Sequence, residues 1–379
     1  MKDNPKYVYA YGWNRFNMGV IGVWPEADEN ILLRYRAWAY SLLIFILIWV
    51  PQLASVTVFW GNINATIECL SINVPVGVSI MKLVVFRYRR KVLSDLLKLV
   101  EEDWAHPWTK EEEAIMTTLM KISRVISLIS VYVTSSLLVA YVSSGILIGV
   151  QNWNNPDVDP RLSVGFLYSL ILPYNTRNMY NFVSTWIAQL AGTWFSLVAY
   201  SGPDALIAML VLHLCGQLAI VRLNIKNIVN EACLKDPRIF HQKLGAIVER
   251  HEELNRRNQM IEDSFNLMLL AQTLVCTIIL CFQGFATLTT LMDLPEGEIS
   301  YLNLTIFVLH SIFFAIYTIM HLFVYCWVGD LLITESSDIG ISPYESQWYL
   351  MAPTEIKALM FVTHRSRTPL QITAGKFCS

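Results

Sequence analysis

The stretch NMYNFVSTWIAQLAGTWFSLVAYSGPDALIAMLVLHLCGQLAIV, Asn178–Val221, carries a single formal charge, Asp204. As one α-helix it would run about 66 Å, roughly twice the apolar thickness of a bilayer. Two readings compete. Either the stretch is a hairpin of two membrane spans, or it is one span whose helix continues beyond the bilayer. Ser201-Gly202-Pro203-Asp204 offers a kink or a break, because proline lacks a backbone donor and crowds the preceding turn. The choice sets the side on which every later segment lies, and charge makes it.

Five more apolar blocks flank this stretch. Ala37–Val58, Val125–Val150, Phe265–Leu291 and Ile299–Gly329 have no charged residue. Ala65–Phe86 holds Glu68 and Lys82, each near an end, where a long side chain is expected to reach the interface. A bilayer core about 30 Å thick needs about 20 apolar residues as helix. The whole chain agrees: 54% of its 379 residues are hydrophobic and 15% charged, against about 45–50% and about 25% in soluble domains. Mean hydropathy is +0.44. One soluble core stops growing near 250–300 residues, so a water-soluble enzyme, a disulfide scaffold and a disordered chain are all poor fits. The net charge of −2 leaves no basic footprint for nucleic acid.

Lys and Arg favour the cytoplasmic side of a membrane. With six spans and the N-terminus inside, 25 of the 28 cations fall inside; Arg161 and Arg177 lie outside and Lys82 within a span. The hairpin reading instead places the eight cations of Arg222–Arg257 outside. The sequence therefore predicts one long, bent helix leaving the membrane on its inner side. It divides into a cytoplasmic segment at 1–36, a transmembrane bundle at 37–329 and a cytoplasmic C-terminal segment at 330–379. The spans fall near 37–58, 65–86, 125–150, 180–203, 265–291 and 301–328, with cytoplasmic helical extensions at about 204–264.

The inner segments carry apolar residues at helical spacing, as in Leu93, Leu96, Leu97 and Val100. Such stripes serve partner chains or packing within one subunit. Asp236-Pro237 is expected to separate the helices Asp204–Asn230 and Phe240–Asn266. Met1–Arg36 is too polar for a cleavable signal, so the first span is expected to act as its own insertion signal. Asn64-Ala65-Thr66 is the expected glycosylation sequon, in the first outer loop; Asn303-Leu304-Thr305 lies too near a span.

No sequence pattern for catalysis, metal or cofactor binding is present. No two of the seven histidines are three or four residues apart, and the seven cysteines show no metal spacing and no outer-loop pair. Few intramembrane charges and no internal repeat argue against an ion-coupled transporter. What gathers instead, in the outer halves of the spans, is aromatic and small polar. The third span offers Tyr141, Ser144, Gly145 and Ile148. The fourth opens with Tyr180, Phe182, Trp186, Gln189 and Thr193, and the sixth carries Phe307, His310, Phe314 and Tyr317. This lining suits a small apolar or amphipathic ligand, with Ser144, Gln189 and Thr193 available for a hydrogen bond. Aromatics also serve helix packing and membrane interfaces, and a lone His310 reads as a bundle histidine before it reads as a ligand contact.

Both ends of the chain carry a resemblance. Trp13-Asn14-Arg15 followed by Gly22-Val23-Trp24-Pro25 resembles the start of insect odorant receptors. At the other end, Cys326, Gly329, Ser336, Tyr344, Trp348, Tyr349, Arg365, Pro369, Thr373, Ala374, Gly375, Lys376 and Phe377 follow the order and rough spacing of that family's signature. The resemblance implies an all-α polytopic membrane protein, an insect odorant receptor-like helical bundle with a cytoplasmic N-terminus. It further implies a ligand-gated cation channel in the plasma membrane of a sensory neuron dendrite. The partners so implied are an odorant co-receptor in a hetero-tetramer, a small volatile organic ligand and the lipid bilayer, with no cofactor. The ligand pocket is implied between the second, third, fourth and sixth spans, which adds Val76 to the candidates above. The chain looks like a tuning subunit, because the co-receptor's insertion before the fifth span is missing.

One departure stands out. The family signature precedes a seventh, pore-lining span, whereas this chain ends at Phe377-Cys378-Ser379. Six spans are expected here, with an anchor and a candidate pocket but no pore helix. A gustatory-type ligand-gated channel, a truncated non-conducting assembly subunit and a G-protein-coupled receptor are the competing readings. The last requires an outer N-terminus, which the cation count opposes.

Overall fold

The structure is a computed structural model that describes residues 5–25, 35–61, 63–151, 166–168, 172, 174–175, 178–292 and 298–375. Eleven α-helices are described: α1 (Pro5–Val20), α2 (Arg36–Val58, with a π turn at Phe45–Trp49), α3 (Ile63–Tyr88), α4 (Arg90–Ala105), α5 (Lys110–Gln151) and α6 (Met179–Lys226). Then follow α7 (Glu231–Lys235), α8 (Pro237–Met292), α9 (Glu298–Asp338), α10 (Ser342–Glu345) and α11 (Pro353–Arg365). Among the described residues, α2, α3, α5, α6, α8 and α9 are long and apolar enough to cross a membrane.

The deciding stretch is one helix. α6 runs unbroken through Pro203, so the stretch is one long helix, as predicted, and not a hairpin. Side chains of α3 donate to carbonyls of the turns that precede the proline. Ser79 of α3 donates to the Ser196 carbonyl at 2.9 Å, two turns before the proline, and Lys82 to the Tyr200 carbonyl at 2.6 Å, one turn before it. Donors from an adjacent helix can satisfy backbone groups that a proline perturbs within a membrane.

α6 is the pillar of the molecule. Its apolar window is 89% buried, against 22–44% for the other five spans, and it touches α1, α2, α3, α5, α8, α9 and α10. An almost uniformly apolar sequence fits this place, because no face of α6 meets solvent or lipid over Ala199–Val221. The outer helices are apolar on their exposed side. α9 exposes Leu309, Ile312, Ile316, Ile319 and Phe323 at steps of three and four, and α5 exposes Val125, Ile129, Tyr132 and Val139. Such stripes belong in hydrocarbon.

The Lys- and Arg-rich end, called basal below, is a second packed layer. α4 turns Leu93, Leu96, Leu97, Val100 and Trp104 inward, so this stripe packs within the subunit. Asp236 separates α7 from α8 and caps the latter: its Oδ1 accepts the Arg238 N–H at 2.9 Å. α8 then continues without interruption to Met292, carrying the extension straight into the span.

Two expectations are corrected. Lys82 does not reach the interface; it is fully buried and ion-paired with Asp204. Burial in the bundle removes any route along which its stem could snorkel. The sequon Asn64-Ala65-Thr66 lies in the first turn of α3 rather than in a loop, with Thr66 Oγ1 donating to the Phe59 carbonyl at 3.0 Å. The side chains of Asn64 and Glu68 lie outside the described residues.

Candidate functional site

The end opposite the basal layer, called distal, contains the first candidate wall. Trp186, Gln189 and Thr193 share one face of α6 by their spacing of three and four. The segment Phe166–Tyr168 lies on that face. Gln189 Oε1 accepts the Leu167 N–H at 3.0 Å, its Nε2 donates to the Tyr168 carbonyl at 3.4 Å, and Thr193 Oγ1 is 3.1 Å from the Tyr168 hydroxyl. Phe166 packs on Phe182 with ring centroids 5.1 Å apart. Gln189 and Thr193, expected to face a ligand, thus already have protein partners; a ligand meeting them must compete with Tyr168. Trp186 is half-buried. Tyr168 was not legible beforehand, because it lies in a connection with no periodicity.

The second wall is a column of rings on α9. His310 stacks on Phe314 at 6.3 Å, Phe314 meets Tyr317 at 6.4 Å, and Tyr317 meets His321 edge-on at 4.7 Å. The Tyr317 hydroxyl is 3.4 Å from Thr134 Oγ1 of α5. Tyr317 also packs with Val78 of α3, Leu137 of α5 and Tyr200 of α6. Four of the spans therefore converge at Tyr317, a position the sequence reading named. Val76 is buried in the main core and Phe307 is half-buried. The side chains of Tyr141, Ser144, Gly145 and Ile148 lie outside the described residues, although their backbone is helical.

Below the rings sits a polar cluster. Lys82 Nζ is 2.5 Å from Asp204 Oδ1 and 4.4 Å from the centre of the Tyr200 ring. The Tyr200 hydroxyl accepts from Gln272 Nε2 at 2.5 Å and is 3.6 Å from Cys276 Sγ. Gln272 and Cys276 are one turn apart on α8; Cys276 reads in the sequence as a small core-like span residue, and nothing there singles out Gln272.

A denser network lies in the basal layer. Trp104 Nε1 donates to the Tyr11 hydroxyl at 2.8 Å, so that hydroxyl donates onward to His213 Nδ1 at 2.8 Å. His213 is then the Nε2–H tautomer, donating to Asp103 Oδ2 at 2.8 Å. Asp103 also accepts from Arg250 at 2.6 Å and from Arg257 at 2.6 and 3.2 Å. Arg250 and Arg257 both pair with Glu253. Burial opposes ionisation of Asp103, but the His213 hydrogen bond and the two guanidiniums prevail and hold its carboxyl well below the usual range. Two cations and two anions balance, and the network ties α1, α4, α6 and α8 together. Among the described residues no group of three His, Cys, Asp or Glu side chains is placed to hold a metal ion.

Comparison with known proteins decides the family. The model described as 7tm Odorant receptor matches residues 62–379. The chain belongs to the odorant receptor family. Among curated relatives, Odorant receptor 13a of Drosophila melanogaster is 26% identical over 226 residues, covering 56% of this chain and 51% of that protein. In that match the chain spans about half its relative's length. Odorant receptor 22c of the same fly is 20% identical over 94% of this chain and 88% of its own length. The fold is that of the insect olfactory receptor OR5 from Machilis hrabei in complex with eugenol, with TM-score 0.75, 13% identity, and coverage of 98% of this chain and 93% of that one.

As a member of this family the chain is a multi-pass membrane protein of olfaction, and its signature residues acquire physical roles. The extended tail after α11 is seated on α8 and α9. Leu370 N donates to Ser336 Oγ at 3.0 Å, Asn258 Nδ2 to the Gln371 carbonyl at 3.1 Å, Thr373 N to Glu262 Oε2 at 2.7 Å, and Gly375 N to the Asn266 carbonyl at 3.0 Å. Pro369 leads into this tail, and Gly329 lies on α9. Trp24, followed by Pro25, is buried in the main core. Tyr344 and Trp348 face outward. Lys376 and Phe377 lie outside the described residues.

Proposed function

We propose that this odorant receptor chain is a tuning subunit that binds a small volatile ligand in the distal half of its bundle and, with a co-receptor, forms a ligand-gated cation channel. The observation that carries the reading is the convergence of α3, α5, α6 and α9 on Tyr317, beneath a column of aromatic rings. The proposed contacts are Val76, Tyr141, Ser144, Gly145, Ile148, Trp186, Gln189, Thr193, Phe307, His310, Phe314 and Tyr317. Rings supply shape and dispersion; the hydroxyls and the Gln189 amide supply direction.

Co-receptor pairing has its own support. The chain is 25% identical over 130 residues to the Odorant receptor coreceptor of Harpegnathos saltator, covering 34% of this chain and 25% of that protein. Exposed Tyr344, Trp348, Tyr349 and Phe361 at the basal end offer the aromatic surface from which subunit contacts are built. The proposed orientation places this end in the cytoplasm.

Mechanistically, burying apolar ligand surface yields about 25 cal/mol per Å². That free energy opens a gate only to the extent that the ligand binds the open arrangement better. Trp186→Ala, co-expressed with a co-receptor, is expected to shift the half-maximal odorant concentration by about tenfold or more, with surface density unchanged. Odorant-evoked current across a broad panel measures this. Identical dose–response curves would remove Trp186 from the site.

A further inference from the structure

We propose that Asp204 is a positioning hub that couples the distal ring column to the basal layer, holding α3 and α9 on α6 through Lys82, His321 and Tyr325. The coupling part of the inference rests on the ligand-gating reading above; the positioning part does not.

The hub begins with an unlikely pair of charges. Lys82 is 0% exposed and Asp204 is 4% exposed, inside spans that are otherwise apolar. Taking two charges out of water costs several kcal/mol per ion, and their attraction recovers it only with close geometry and further hydrogen bonds. A pair of well-packed apolar residues often does as well or better for stability. Stability alone therefore does not account for charges at these two positions, whereas ionisable groups within a membrane commonly mark functional sites.

The geometry shows what the pair joins. Oδ1 of Asp204 holds Lys82 from α3, which also donates to the Tyr200 carbonyl of α6. Oδ2 has His321 Nδ1 at 3.4 Å and lies near the buried Tyr325 hydroxyl, with no aligned hydrogen bond from either. His321 and Tyr325 are one turn apart on α9. They continue the face that carries His310, Phe314 and Tyr317, at steps of four, three, four and four. One helix face thus bears the proposed ligand wall at its distal part and the partners of Asp204 further along. Tyr317 touches His321 directly, edge-on at 4.7 Å. Hydrogen bonds and close ion pairs weaken steeply with misalignment, while packed rings do not compress. A displacement of Tyr317 is therefore passed through His321 to Oδ2 of Asp204, where the 3.4 Å approach either closes into a hydrogen bond or opens. Below Asp204, α6 continues as the same rigid helix to His213 and Gln217 in the basal network.

The test uses the full chain assembled with a co-receptor. Lys82→Met with Asp204→Asn removes both charges and leaves neither one unpaired; Tyr325→Phe is the milder variant. Three quantities are read: surface density, the ratio of odorant-evoked to resting current, and the distance distribution between spin labels on the inner parts of α6 and α9 in purified complex. The expected result is surface density close to the parent's, a current ratio lower by about fivefold or more, and a broadened distance distribution. The Tyr325→Phe variant moves both readouts the same way by less. A merely structural pair would lower surface density and leave the ratio per channel intact. A double variant with the parent's ratio and a narrow distribution overturns the proposal. If the double variant fails to reach the surface, Tyr325→Phe decides by the same two readouts. Should the parent chain answer no odorant, the ligand-gating reading and the coupling with it fail; the distance distribution then decides the positioning hub alone.

Discussion

Asp103→Ala is expected to cost about 3–5 kcal/mol and to leave little folded protein at the cell surface, because it strips the counter-ion from a buried charge cluster. Arg257 is 6% exposed and keeps only Glu253 as an anionic partner when Asp103 is gone; Arg250 is in the same position. The cluster passes from balanced to an excess positive charge, which water reaches only on the Arg250–Glu253 side. His213 loses the acceptor for its Nε2–H, and the chain of bonds through Tyr11 to Trp104 loses its end. Four helices, including the N-terminal α1, share these contacts, so the damage is not local. Thermal unfolding in detergent measures it. A midpoint within about 1 °C of the parent's would contradict the reading. The pH dependence has a definite sign. The Asp103 carboxyl is depressed by its partners, so its contribution is complete above the unfolded value near 3.9 and fades only as pH falls toward the folded one. Moving from pH 7 to pH 5 should therefore leave this part of the stability intact.

The second large effect belongs to Gly375. Its φ is +64°, in the left-handed region, and a Cβ there would stand 2.4 Å from Leu270 Cδ2 and 3.2 Å from Leu270 Cβ. Gly375→Ala incurs about 1–2 kcal/mol for the backbone and about 1–3 kcal/mol for overpacking. Leu270 relieves part of this by moving, yet α8 fixes its backbone. The expected outcome is a tail that leaves its seat, with the bonds at Leu370, Thr373 and Gly375 opened. Amide exchange at these residues should accelerate by about tenfold or more, with the core of α6 unchanged. Unaltered protection in the tail would show that the glycine is not needed for this turn.

Much of the architecture was legible because its signals are local. Uncharged blocks of about 20 residues announce spans one at a time, and the cation count favoured one continuous helix over a hairpin at Asn178–Val221, which is what the structure has. The C-terminal signature was recognisable by order alone; its task, seating a tail through Ser336 and Gly375, required the neighbouring helices. Long-range pairing was the part that stayed hidden. Lys82 and Asp204 are 122 residues apart, and each alone reads as a charge placed near the end of a span. Pro203 alone reads as a kink or a break, and the α3 donors to the turns before it are not visible in the local sequence. Gln189 and Thr193 read as free to meet a ligand, because the connection carrying Tyr168 gives no periodic sign that it folds back on α6. The ring column on α9 was the part of the site most open to reading, since spacing of three and four is a helix property alone.

The side of the membrane on which the basal layer lies decides whether the proposed ligand wall faces the exterior. Tyr180→Cys, at an exposed distal position, and Lys235→Cys, at an exposed basal one, can be labelled with a membrane-impermeant thiol reagent on intact cells, against the parent chain as background. Added label is expected at Tyr180→Cys on intact cells, and at Lys235→Cys only after permeabilisation. The opposite pattern would turn the bundle over, place the proposed odorant wall in the cytoplasm and contradict the account.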